Sequence, residues 1–198
     1  MKKLFLTAAV AVSSLTFAQQ FGAKAGMNVS TISDEGFDDT KSKVGYYAGV
    51  FMNVPVSESF SIQPEVLYNN LGSKVSSTVS GTTYSSTLNL DYVAVPVMFQ
   101  YKATPQFYLE AGPEFGFLVN AKQKFDNGSS SIVTELDKED FNSFNMGVGL
   151  GLGFDISKNV GLNARYVAGF SDITKKSGPA ADAKNKNNAF QVGLNIKF

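Results

Sequence analysis

Cysteine is absent from the 198-residue chain, and so is histidine. Without cysteine there is no disulfide framework and no thiol for a lipid anchor. An exported form must therefore draw its stability from packing and hydrogen bonding. Without histidine, Ser-His-Asp and Cys-His catalysis, His-ligated zinc and ordinary imidazole acid–base chemistry are excluded. No Ser or Asp stands beside another recognisable base, so we expect no enzyme, no catalytic residue, no metal centre and no cofactor. A dominant charge is lacking too: 17 Lys and Arg stand against 17 Asp and Glu, which offers nucleic acid no basic face. After the first 18 residues no segment of useful length has helical period.

The start, MKKLFLTAAVAVSSLTFAQQ, reads as a secretory signal peptide. Lys2 and Lys3 form its charged end, residues 4–15 its apolar core and Thr16-Phe17-Ala18 its cleavage site. The apolar run is shorter than the ~20 residues a membrane-crossing helix needs. We expect a signal peptide over 1–18 and one domain over 19–198. Removing the two lysines leaves 15 basic and 17 acidic residues, a formal charge of −2.

The stretch NMGVGLGLGFDI places Gly147, Gly149, Gly151 and Gly153 at every second position. A dinucleotide fingerprint needs G-x-G-x-x-G between a strand and a helix. Counted from Gly147 the third glycine falls on Leu152, and from Gly149 on Phe154, so that reading fails. What remains is a β-strand with Met146, Val148, Leu150, Leu152, Phe154 and Ile156 on one face and a stripped-down opposite face.

Eight such alternating runs are expected, near 20–29, 43–54, 60–71, 87–102, 106–120, 143–156, 159–170 and 188–198. In the fourth, Val93, Val95, Val97, Phe99 and Tyr101 suit one phase while Leu88 and Leu90 suit the other. A bulge near Asp91 would reconcile them. The connections alternate: short at 55–59, 103–106 and 157–159, long and polar at 30–42, 72–86, 121–142 and 171–187. The loops at Ser80-Gly81 and Asp126-Asn127-Gly128 carry turn chemistry and are expected to form projecting hairpins. Short turns at one rim and long loops at the other describe an all-β, eight-stranded antiparallel up-and-down transmembrane β-barrel, with both termini at the periplasmic rim.

A soluble ligand-binding barrel would alternate in the same way with its apolar face inward. The minor face here, however, holds glycine and long polar residues: Lys24, Gln63, Glu65, Asn69, Glu110, Glu114, Asn163, Arg165, Gln191, Asn195 and Lys197. An eight-stranded barrel has an interior just wide enough for side chains to fill, and a nearly charge-free apolar face suits lipid outside. The glycines at 147, 149, 151 and 153 then form a thin inner wall that admits long arms from opposite strands. Aromatics sort into two groups, as membrane boundaries require. Phe21, Phe60, Tyr101, Phe107, Phe154 and Phe198 stand at the short-turn ends. Tyr46, Tyr68, Tyr92, Phe117, Phe144, Tyr166, Phe170 and Phe190 stand toward the long loops.

The segments FGAKAGMNVSTIS, GYYAGVFMNVPVSESFSIQPEVLYNNLGSK, LDYVAVPVMFQYK and AGPEFGFLV resemble the outer-membrane β-barrel domain of Bacteroidota, the porin-family or PorT-like group, over essentially the whole mature chain. The resemblance implies fold and a place in the cell outer membrane of a Gram-negative bacterium, and supplies no catalytic residue. It also implies that terminal Phe198 is the aromatic read by the barrel-assembly machinery.

Lys24, Glu65, Glu110, Glu114, Arg165 and Lys197 share the inner phase. They form either an ion-paired gate or a plug of satisfied charges, and the narrow lumen favours the plug. The loop SDEGFDDTKSK holds Asp34, Glu35, Asp38 and Asp39, whose oxygens suit calcium. The calcium-loop pattern is missing, so a solvated acidic loop is expected. KKSGPAADAKNKNN carries Lys175, Lys176, Lys184 and Lys186, read by default as solubilising charge, with attraction to lipid phosphates as the alternative. We expect a monomer in contact with outer-membrane lipid that acts through its long external loops, in structural support or surface interaction, with no partner identified. A narrow ion or small-solute channel through the polar lumen is the alternative.

Overall fold

The computed structural model describes residues 19–33, 41–79, 82–128, 130–173 and 185–198. Strict alternation of apolar and small or polar residues gives nine strands. They are β1 (Gln20–Ser33), β2 (Lys41–Pro55), β3 (Phe60–Val79), β4 (Thr82–Lys102), β5 (Phe107–Asp126), β6 (Ser131–Glu135), β7 (Phe144–Asp155), β8 (Val160–Asp172) and β9 (Lys186–Lys197). Neighbours run antiparallel in the order β4-β3-β2-β1-β9-β8-β7-β5, and β4 pairs β5 to close a ring of eight. First and last strands meet from Gly22↔Lys197 to Ser33↔Lys186, which brings both chain ends to one rim. The short β6 lies outside the ring and pairs only with the far end of β5.

The three short turns share one construction. In each, the amides of the two residues that follow the strand donate to the carbonyl of the residue that opens the next strand. Val56 and Ser57 donate to Phe60 (2.9 and 3.1 Å), Ala103 and Thr104 to Phe107 (3.0 and 3.2 Å), Ile156 and Ser157 to Val160 (2.9 and 3.0 Å). The hydroxyl at the second position accepts the returning amide: Ser57 from Phe60 (3.1 Å), Thr104 from Phe107 (2.9 Å), Ser157 from Val160 (3.1 Å). Ser or Thr suits these places because its side chain bonds the local backbone and closes the turn.

On the other rim the strands outrun the ring. The β3–β4 ladder continues to Val79↔Thr82, and β5 turns back through Asp126↔Ser131 into β6. Asp126 Oδ1 accepts the Gly128 amide at 2.9 Å, Asn127 Oδ1 accepts that of Ser130 at 2.7 Å, and Gly128 holds φ +82°. These are the two projecting hairpins expected from turn chemistry, and β3 to β6 form one sheet standing beyond the ring.

The outer wall is apolar. Phe21, Phe60, Tyr101, Phe154 and Phe198 are exposed around the short-turn rim, and Phe60 and Tyr101 pack ring to ring at 5.1 Å. Tyr46, Phe117, Phe144, Tyr166, Phe170 and Phe190 are exposed around the other. Between them Met27, Val50, Val66, Leu150, Leu162 and Leu194 lie exposed, a continuous apolar band that water would not tolerate and hydrocarbon would. Tyr92 does not belong to the outer group. It is buried inside, because the even positions of β4 face the lumen.

The register of β4 against β5 does shift at Asp91/Tyr92, where a bulge was expected. The additional residue is Val119, on β5, and it does not turn Leu88 and Leu90 outward. Leu90 is fully buried and both leucines stay on the lumen side, packed with an apolar cluster.

Candidate functional site

The lumen is filled at two levels. The inner level is ionic and lies within the membrane-crossing part of the ring. Arg165, from β8, reaches the opposite wall and forks onto Glu65 of β3, with Nη1 donating to Oε2 at 2.9 Å and Nη2 to Oε1 at 2.8 Å. Its Nε donates to Glu110 Oε1 of β5 at 2.7 Å. Lys24 of β1 donates to Glu65 Oε1 at 2.9 Å and stands 5.9 Å from the centre of the Phe51 ring. Lys24, Glu65, Glu110 and Arg165 are each at most 3% exposed. Two cations thus meet two carboxylates across the full width of the barrel, and a bidentate Arg–carboxylate pair holds its geometry as well as its charge.

Amides complete the network on the short-turn side. Gln63 Nε2 donates to Glu65 Oε1 at 2.8 Å and Gln100 Nε2 to Glu110 Oε2 at 3.0 Å. Asn53 Nδ2 lies 2.8 Å from Gln100 Oε1 and 3.1 Å from Gln63 Oε1. Every oxygen of Glu65 and Glu110 therefore has a donor, as buried carboxylates require. Above, the Tyr47 hydroxyl donates to Asn163 Oδ1 at 2.8 Å and Gln191 Nε2 to Asn69 Oδ1 at 3.3 Å, two further ties across the lumen.

The expected six-residue set divides. Lys24, Glu65, Glu110 and Arg165 meet. Lys197 does not join them: it pairs with Asp155 at 2.5 Å near the short-turn rim, because position 197 is the final residue of the last strand. Glu114 stands apart as well, four residues along β5 from Glu110. It borders a cavity of about 20 Å³, also lined by Asn69, Tyr92 and Asn187, room for about one water. Its Oε2, Asn69 Nδ2 and both polar atoms of the Asn187 side chain have no hydrogen-bond partner among the described residues.

Gly147, Gly149, Gly151 and Gly153 lie on the lumen face of β7, and the side chains over them come mainly from the adjoining strands. A Cβ at Gly153 would stand 2.1 Å from Tyr108 Cζ, and one at Gly151 2.9 Å from Glu110 Oε1. Tyr108 and Glu110 are the direct register partners of those glycines on β5. Gly149 faces Met98 Cε at 3.2 Å and Arg165 Cδ at 3.3 Å, while the nearest contact of Gly147 is the Ala168 carbonyl. The β5 side chains lie down over β7 and fill the lumen from its own wall.

The second level, at the projecting end, is apolar. Leu71, Leu90, Tyr92, Leu118, Ala121, Phe141, Ile173 and Ala189 pack together there, with Ile32, Leu88 and Leu136 against them. The segment after β6 supplies part of this cap. The Leu136 amide donates to Ala121 O at 3.0 Å, Asn142 N to Ile173 O at 2.8 Å and Leu118 N to Ser143 O at 2.9 Å. Only the misphased Leu88 and Leu90 hinted at it in the sequence; Phe141 and Ile173 fall in stretches read as loop.

Asp34, Glu35, Asp38, Asp39, Lys175, Lys176 and Lys184, like residues 1–18 expected as a signal peptide, lie outside the described residues. Among the described residues no group of three or more Asp or Glu side chains is placed to hold a metal ion.

Residues 17–175 match the protein family described as outer membrane protein beta-barrel domain. A comparison with curated proteins found no match. Among solved structures the chain is similar to Ail, the attachment invasion locus protein of Yersinia pestis. The two share 14% identity over 92% of this chain and 100% of that one, with a TM-score of 0.54. It is also similar to Neisserial surface protein A, at 11% identity over 91% of this chain and 99% of that one, with a TM-score of 0.50. At such identities the likeness is one of fold.

Proposed function

Because the chain belongs to the outer membrane protein beta-barrel domain family and resides in the outer membrane, we propose that it is a closed barrel that works at the cell surface. Its projecting sheet and long loops carry a structural or surface-interaction role, and the lumen conducts nothing. The observation that carries this reading is the double closure: a charge network spanning the ring and an apolar cap above it. The sheet of β3 to β6, by contrast, stands free, with Ile132 and Val133 of its edge strand exposed. An edge strand offers unpaired backbone groups to a partner. The quoted segments support placing the protein in the PorT-like group of Bacteroidota, the start of the chain supports processing by signal cleavage, and the lack of histidine supports a role without catalysis; we take it to be a monomer inserted by the assembly machinery.

The test is single-channel current from refolded mature protein in a planar bilayer. A silent bilayer is expected from protein shown to be folded and inserted. Discrete, reproducible openings would overturn the proposal in favour of the second reading, a narrow ion or small-solute channel. What favours that reading is the polar lumen, with the unpartnered Glu114 and Asn187 atoms between the two closures.

A further inference from the structure

At the outer aromatic boundary and just past it, the outside wall carries an open cleft of about 700 Å³ where β2 ends short of β3, β4 and β5. Its floor is apolar, made by Met27, Val44 and Tyr46, all exposed on the lipid-facing side. Tyr46 stacks with Tyr68 at 6.1 Å in the boundary row itself. Its rim is basic, made by Lys74 and Lys124, with the buried Lys43 beside it.

The lysines are placed by register. Lys74 pairs with Thr87 and Thr87 with Lys124, so the two cations flank one threonine in a single cross-strand row. The two exposed cations stand about 10 Å apart, two strand spacings, and their mutual repulsion falls if one anion meets both. Protein acids offset little of it. Lys74 has no ion pair among the described residues, and Lys124 has only a loose, half-exposed contact with Asp126 at 3.7 Å. Lys43 is buried on carbonyl oxygens, 2.5 Å from Asn70 Oδ1 and 3.2 Å from Leu71 O. The carboxylate beside it, Asp91, is taken by Asn70 and Asn120 at 2.6 and 3.0 Å.

We infer that this cleft binds the phosphorylated headgroup of an outer-leaflet lipid. The apolar floor takes the start of the acyl chains, and Lys74 and Lys124 take a phosphate. A membrane surface favours each nearby lysine toward anionic lipid, and the change from apolar floor to basic rim at the aromatic boundary matches the polarity profile of such a lipid. The inference stands whether or not the lumen conducts.

The test uses refolded mature protein in neutral detergent micelles. It is titrated with lipid A carrying both phosphates and, separately, with the same lipid stripped of them, and bound lipid is counted by native mass spectrometry. The phosphorylated lipid binds at least tenfold more tightly. The pair K74Q/K124Q weakens that binding about thirtyfold, from roughly 1 kcal/mol per lysine at a lipid surface. The control K138Q, whose lysine reaches Val119 O outside the cleft, leaves it unchanged. Equal binding of the dephosphorylated lipid, or an unaffected double variant, overturns the inference. Displacement of the lipid by an equal concentration of inorganic phosphate overturns it too, because the ligand would then be the free ion. All three substitutions change exposed side chains, so folding of both variants is confirmed simply by the band shift between unheated and heated samples.

Discussion

Replacing Arg165 with methionine removes the one side chain that bonds both carboxylates of the lumen network. In the native barrel Lys24 and Arg165 balance Glu65 and Glu110. In Arg165→Met one cation faces two carboxylates, three charge-assisted hydrogen bonds of 2.7–2.9 Å are gone, and Glu110 keeps only the Gln100 amide. Removing one partner of a buried pair costs about 3–5 kcal/mol, because the remaining charge stays buried without compensation. Methionine fills a similar volume, so little of the loss comes from a cavity. Adding Glu110→Gln restores the balance of one cation to one carboxylate and should recover roughly half of the loss. The assay is equilibrium urea unfolding of protein refolded into phosphatidylcholine vesicles, followed by far-ultraviolet circular dichroism, since the chain has no tryptophan to report by fluorescence. A loss below about 1 kcal/mol in Arg165→Met, or no recovery in the double variant, would refute the claim that these charges close the lumen as one unit.

Glu114→Gln should be neutral or stabilising by the same urea assay, since it removes a buried carboxyl whose Oε2 has no hydrogen-bond partner among the described residues; a loss above about 2 kcal/mol would show that the carboxyl is needed. Gly153→Ala should cost about 1–3 kcal/mol because the new Cβ meets the Tyr108 ring. In a double-mutant cycle with Tyr108→Ala the two changes should couple by about 1 kcal/mol or more, and simple additivity would contradict the thin-wall account. Phe198 is exposed at the rim, tied only through its amide to Phe21 O at 2.8 Å. Deleting it should deplete folded protein from the outer-membrane fraction of cells while leaving detergent refolding intact. Equal loss in both settings would make its role structural instead of a signal for assembly.

Alternation with period two is a local property, and here it was sufficient to identify eight ring strands, their two faces, the side with short turns and the side with long loops. Each strand's phase is set by its own residues, as with Met146 to Ile156 against Gly147 to Gly153. The same phase brought Lys24, Glu65, Glu110, Glu114, Arg165 and Lys197 to the inner surface. It says nothing of height. Height comes from the stagger of eight ladders accumulated around the ring, and that stagger set Arg165 level with Glu65 and Glu110 while leaving Lys197 with Asp155 at the rim and Glu114 beside a cavity. The apolar cap was equally out of reach. Leu90, Phe141 and Ile173 come from a strand and two connecting stretches, and their shared environment exists only once the ring has closed. Alternation alone assigned nearly every strand residue to lipid or lumen, Tyr92 excepted, because pleating is local. Tertiary structure alone decided which inward residues touch, and so that the lumen is shut, because contact across a barrel depends on the registers of all its strands together.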